Sequence, residues 1–256
     1  MTTQSPFKSF PAFFDQLARR QEPALIWYSE PGERLEFSGR VLDNWVAKTL
    51  GLLEEEGELE PGSCLLLPKE LHWRSLLLAL AAIRLGARVV FAAELSAAEL
   101  AELSPGLLVT FDPSDLDPAL ASWRVLALPR QPLATSFGSA LPAGVLDYAA
   151  LVPAFPDQVW SVLEAEPADL LLGDLSLGQV SGQLGVRAAE VRALAAQEGV
   201  LSFWGQGEVL GTSFLLEALA VWAAGSGFLL LDPAASWPKE RLSRVLGDEG
   251  ARPLLA

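Results

Sequence analysis

Residues 64–91, CLLLPKELHWRSLLLALAAIRLGARVVF, run strand, loop, helix, glycine, strand, the order of a β-α-β unit. Leu65-Leu66-Leu67 is a short apolar run ended by Pro68, as in a strand covered on both faces. Residues 76–85 form a helix-favouring run. Gly86 is placed to end that helix in a left-handed cap, and Val89-Val90-Phe91 opens a second β-branched strand. Strands joined in this way are parallel neighbours with a right-handed crossover. A second copy lies at residues 200–231, VLSFWGQGEVLGTSFLLEALAVWAAGSGFLLL, where Gly225 takes the place of Gly86, Leu219 of Leu80, Trp222 of Ile83 and Phe228 of Val89. Duplication and the chance alignment of two Ala/Leu-rich helices both account for the match. The expected fold is therefore layered α/β, with mostly parallel sheets in two pseudo-repeated halves, 1–150 and 151–256, packed as one unit.

A chain of 256 residues with 51% apolar and 20% charged side chains can bury a full core without staples. The net charge of −14 offers no basic stripe to displace counterions, which excludes nucleic acid as a partner and weakens attraction to anionic membranes. Cys64 is the single cysteine, so no intrachain disulfide or thiolate zinc site forms, and a reducing cytoplasm is expected. The amino terminus, MTTQSPFKSFPAFFDQLARRQ, lacks the pattern of a signal peptide. The apolar window around Leu76–Leu80 is too short to span a bilayer, and the expectation is a protein without membrane attachment.

Phe10, Phe13, Phe14 and Leu17 mark one face of an amphipathic helix. Residues 24–28 and 34–37, parted by Pro31-Gly32, read as a hairpin, and Ser38 is placed to cap a helix at 41–53. Glu54-Glu55-Glu56 reads as a solvated face. Asp112, Asp115 and Asp117 lack the glycine and terminal glutamate of a calcium loop, so turn chemistry is their expected role. Further strands are expected at 107–111, 125–128 and 169–172, with helices at 187–198 and around 240–246. Most of the eight tryptophans, Trp27, Trp45, Trp160 and Trp204 among them, are expected in the core.

Two places are candidates for chemistry. Residues 173–182, GDLSLGQVSG, follow a strand and precede a helix, the layout in which glycines let backbone amides approach a phosphate. The segment has no lysine, and Asp174 places a negative charge where phosphate oxygens would lie, so an ordinary surface loop is the competing reading. His72 is the only histidine, which excludes a triad or a histidine metal cluster within the chain. With Trp73 it follows the first strand, where open α/β sheets bind ligands. Either these two residues line a ligand pocket, or His72 caps the next helix.

Residues 23–91 resemble the amino-terminal region of the adenylate-forming superfamily, which includes acyl-CoA synthetases, luciferase-like enzymes and peptide-synthetase adenylation domains. The turn Pro61-Gly62-Ser63 and the pair Gly86-Ala87 stand where those enzymes have a Pro-Gly-Asp-like turn and a Gly-Ala. The chain resembles still more closely a group of short proteins distantly similar to AMP-binding enzymes. Against the superfamily's Thr-Ser-Gly-Thr-Thr-Gly-x-Pro-Lys-Gly segment, Ser176, Gly178 and Gly182 fit. Asp174, Leu175, Leu177, Val180 and Ser181 replace a serine, a glycine, a threonine, the proline and the lysine. No aromatic-Gly-x-Thr-Glu segment follows, so the resemblance carries over no catalytic residue and no metal. It implies a pseudoenzyme acting as a binding or interaction module, alone, as a homodimer or with a protein partner. The alternative it implies is an AMP-forming, ligase-like enzyme or a metabolite sensor. That protein would hold ATP, AMP or CoA at Ser176, Gly178, Ser181, Gly182 and Arg187, with Arg187 or Arg192 standing in for the lysine.

Overall fold

The computed structural model describes residues 6–30, 33–159, 165–198, 202–205 and 209–254. The turn at Pro31-Gly32 and Trp160 lie outside the described residues. In chain order the first elements are α1 (Phe10–Arg19), β1 (Pro23–Tyr28), β2 (Arg34–Ser38), α2 (Gly39–Glu55), β3 (Cys64–Leu67), α3 (Trp73–Leu85) and β4 (Arg88–Phe91). There follow α4 (Ala97–Glu102), β5 (Leu107–Thr110), β6 (Arg124–Ala127), β7 (Leu146–Asp147), α5 (Tyr148–Leu151), β8 (Leu170–Leu172) and β9 (Leu175–Ser176). The last are α6 (Leu177–Glu198), β10 (Ser202–Trp204), α7 (Thr212–Ala224), β11 (Gly227–Leu231), α8 (Lys239–Asp248) and β12 (Ala251–Pro253).

Two compact units result. One comprises residues 1–43, 178–209 and 213–256, the other 44–177 with 210–212. They do not follow the expected boundary at 150/151. The reason is a non-local pairing: β1 lies parallel to β11, with Leu25 opposite Phe228, and so draws the amino-terminal hairpin into the sheet of the second β-α-β copy.

The discontinuous unit carries a five-stranded sheet, β12-β10-β11-β1-β2, in which only β1–β2 is antiparallel. Phe10, Phe13, Phe14 and Leu17 are the buried face of α1, as expected, and Ser9 caps that helix. Trp27, Phe203 and Phe228 are fully buried. The Trp222 indole N–H donates to Ala24 O at 2.7 Å, tying α7 to β1. Ser38 caps α2 as expected, its Oγ accepting from Val41 N–H.

The other unit carries a seven-stranded sheet, β7-β6-β5-β3-β4-β8-β9, parallel except for the β8–β9 hairpin. β3 sits between β4 and β5, and all four of its residues are buried. The two copies of the repeat match in form: α3 and α7 each have 13 residues and are followed by Gly86 at φ 85 and Gly225 at φ 87. Such left-handed caps suit glycine because a Cβ would crowd the next carbonyl. Asp112 and Asp117 do turn chemistry, accepting from Ser114 N–H and Ala119 N–H. No helix among the described residues is long and apolar enough to cross a membrane.

Candidate functional site

The glycine-rich segment is not a loop. β8 turns at Gly173-Asp174 into β9, and α6 begins at Leu177, ten residues before the expected helix start. Gly173 takes φ 55 in the turn, and its N–H donates to Val89 O at 2.8 Å. Arg88 holds the turn from β4, its Nε bonded to Gly173 O and its Nη2 to Asp174 Oδ1. The Asp174 side chain is otherwise 97% exposed.

This geometry separates the expected phosphate-binding residues. Ser176 ends β9, Gly178 lies in the first turn of α6, and Ser181 and Gly182 lie in its second. Amides in the second turn bond back to the carbonyls four residues earlier. Leu177 N–H is already taken by Asp169 O at 2.8 Å. Arg187 makes a forked contact from Nε to both carboxylate oxygens of Glu217 at 2.9 Å, and its Nη1 donates to Glu190 at 2.9 Å. Arg192 reaches the last carbonyls of α7, Ala223 and Ala224, each at 3.4 Å. The two arginines expected to replace the lost lysine are thus committed to partners within the chain.

A carboxylate also occupies the start of α7. Glu94 Oε1 accepts from Thr212 N–H at 2.7 Å and its Oε2 from the Thr212 hydroxyl at 2.6 Å. An anion at a helix amino terminus satisfies amides that have no partner within the helix. Nothing in the local pattern marks Glu94 for this role, because it lies far from Thr212 in sequence.

His72 and Trp73 are buried at the start of α3, 5% and 3% exposed. The His72 Nδ1 accepts from Arg74 N–H at 3.2 Å, the capping role weighed against a pocket role from sequence. Its ring lies edge-on to Phe111, and the Arg130 guanidinium stacks over Phe111 at 4.8 Å. Burial, followed by the charge of Arg74, pushes the imidazole from its ordinary 6.5 down to about 3. A neutral, enclosed imidazole is a poor acid or base near neutrality.

Below about 6.5 the unfolded chain takes up a proton that folded His72 refuses until about 3, so acidification through this window lowers stability. Urea unfolding should show a loss between pH 7 and pH 5 that is about 2 kcal/mol larger in the wild type than in His72→Asn, which keeps a capping acceptor. Equal pH dependence in the two proteins would refute the assignment.

Arg74, next in sequence, is a charged side chain only 4% exposed. Its guanidinium donates to Pro129 O at 3.3 Å, Gln131 O at 2.8 Å and Ala134 O at 2.8 Å, and lies 4.6 Å over Trp73. Burial lowers its pKa to about 10, so it stays charged near neutrality. The residues after β3, β5 and β6 thus close over one another at the carboxyl end of this sheet. In open α/β sheets that end is where ligands bind.

No protein-family model matches the chain. A relative from Mycobacterium tuberculosis (strain ATCC 25618 / H37Rv), described as a TIGR03089 family protein, is 30% identical over 256 residues, covering 96% of this chain and 100% of its own length. The chain belongs to the TIGR03089 family. Solved structures show the fold of this TIGR03089 member to be that of the amino-terminal part of acyl-CoA synthetases and adenylation domains. A Brucella canis acyl-CoA synthetase superposes with a TM-score of 0.72 at 16% identity, over 97% of this chain and 47% of that one. The N-terminal subdomain of Klebsiella oxytoca NpsA gives 0.64 at 17% identity, over 98% and 62%. ATP-bound MatB from Rhodopseudomonas palustris gives 0.64 at 15% identity, over 93% and 47%. The TIGR03089 chain therefore spans less than two thirds of each of these solved chains.

Proposed function

We propose that this TIGR03089 member is a non-catalytic protein of acyl-CoA synthetase-like fold that acts in the cytoplasm as an interaction module, for a protein partner or a second copy of itself. The observation that carries this reading is Arg187, whose guanidinium is forked onto Glu217 and bonded to Glu190 on a helix that replaces the expected phosphate loop. Extracting it for a phosphate would cost a charge-assisted pair on each side.

The test is thermal unfolding with Mg-ATP, AMP and CoA, each at millimolar concentration, together with an ATP–pyrophosphate exchange assay over a panel of carboxylic acids. A ligand present at a hundred times its Kd adds about 2.7 kcal/mol of stability. That is roughly 5–10 °C for a chain of this size. The expected result is no shift and no exchange. A clear shift with a nucleotide or CoA would overturn the reading in favour of a sensor, and exchange would make the protein a ligase.

A further inference from the structure

The unit built on the seven-stranded sheet has a concavity at the amino ends of β3, β5 and β6, opposite the end closed by Arg74. It is a cleft of about 690 Å³. That volume suits a small organic molecule. Leu116, Trp123, Pro142 and Val145 give it apolar walls, and Glu58 and Arg124 are the charged residues that line it.

The two charges are not equivalent. Arg124 Nε donates to Glu56 O at 2.6 Å, and its Nη2 pairs with Glu58 Oε1 at 3.0 Å. Its charge is offset by a carboxylate and by the carbonyl end of α2, which carries partial negative charge. Glu58 is 69% exposed, so beyond its contact with Arg124 its carboxylate keeps acceptor positions open to solvent. An entering anion would meet an arginine already neutralised on a chain of net charge −14. An entering ammonium would find a carboxylate oxygen with open acceptor capacity and an apolar wall for the rest of the molecule.

We propose that this cleft binds a small organic cation: an amine on an apolar body, the amine on Glu58 and the body against Leu116, Trp123 and Val145. The site is independent of nucleotide binding, so the ligand-shift experiment above and the one below succeed or fail separately.

The probes are 2-phenylethylammonium and 3-phenylpropionate, matched in body and opposite in charge, titrated against the full chain by saturation-transfer NMR. Saturable binding of the amine is expected, with the carboxylate at least about tenfold weaker. Glu58→Gln and Glu58→Gly should each weaken the amine about three- to tenfold, the range left to an exposed carboxylate after solvent screening. Glu58→Gly guards against misfolding. Glu58 adopts φ 51, which glycine takes without strain, so this variant keeps or raises the unfolding midpoint. Absence of saturable binding, equal binding of the two probes, or unchanged amine affinity in both variants would overturn the proposal.

Discussion

Arg74→Ala should lower the unfolding midpoint by about 6–12 °C. The guanidinium is buried, and it satisfies the carbonyls of Pro129, Gln131 and Ala134 while covering the Trp73 ring. Its removal leaves the buried carbonyl of Pro129 and the part-buried carbonyls of Gln131 and Ala134 without this donor, and opens a void beside the indole. Together these cost about 3 kcal/mol. A chain of this size loses about 2–4 °C per kcal/mol. Arg74→Lys should recover little, because one ammonium does not reproduce a planar fork spread over three carbonyls. The substitution also has a local reporter. Burial and the charge of Arg74 are the two largest causes that hold the His72 pKa down, and Arg74→Ala relieves both. It should therefore raise the pKa of the single histidine from about 3 toward 6.5, visible as one titrating imidazole resonance. A midpoint loss under about 2 °C with an unmoved histidine would show that residues 129–134 are held by other contacts.

Gly106→Ala is expected to be at least as damaging. A Cβ at this position would lie 2.1 Å from Cys64 O and 3.0 Å from its carbonyl carbon, both backbone atoms of the neighbouring strand. Backbone inside a seven-stranded sheet does not yield as a side chain does, so β5 must separate from β3 where Leu65 faces Leu107. The cost is about 3 kcal/mol or more, at the upper end for overpacked sites. The expected outcome is loss of folded protein on expression, or a midpoint lower by about 10 °C. Gly182→Ala is the contrast. Nothing lies within 4 Å of a Cβ there, and the residue is inside α6, where replacing glycine by alanine stabilises a helix by about 0.5–1 kcal/mol. Destabilisation by Gly182→Ala would argue that these residues need the freedom of a loop after all.

The β-α-β copies were legible because their signals are local. Leu65-Leu66-Leu67 ends at a proline, and Gly86 and Gly225 close helices of equal length. The amphipathic face of α1 and the Ser38 cap were legible for the same reason. The glycine-rich segment was not. Gly178 and Gly182 look like loop residues, yet Val180, Leu184, Ala188 and Val191 repeat at helical spacing and are buried. The apolar periodicity outweighed the glycine content. The division into units was hidden because it depends on β1 meeting β11, a pairing with no signature in either strand alone. Glu94 and Arg74 carry no local signature because each acts on a partner remote in sequence, and the amino-end cleft carries none because its walls come from separate turns.

The pairing of β1 with β11 also bears on how the chain is made. Residues 44–177 form a nearly continuous unit and can condense as soon as they leave the ribosome. The hairpin of β1 and β2 emerges long before β11 and waits for it, with the apolar edge PALIWY unpaired. A lone two-stranded hairpin is marginal in water. At ordinary elongation rates of about 5–20 residues per second the wait lasts roughly 10–40 s. An uncovered apolar strand is a template for pairing between nascent chains. Solubility during synthesis therefore depends on how quickly residues near Phe228 arrive, and chaperone demand should be concentrated on β1 and β2 rather than on the largest sheet.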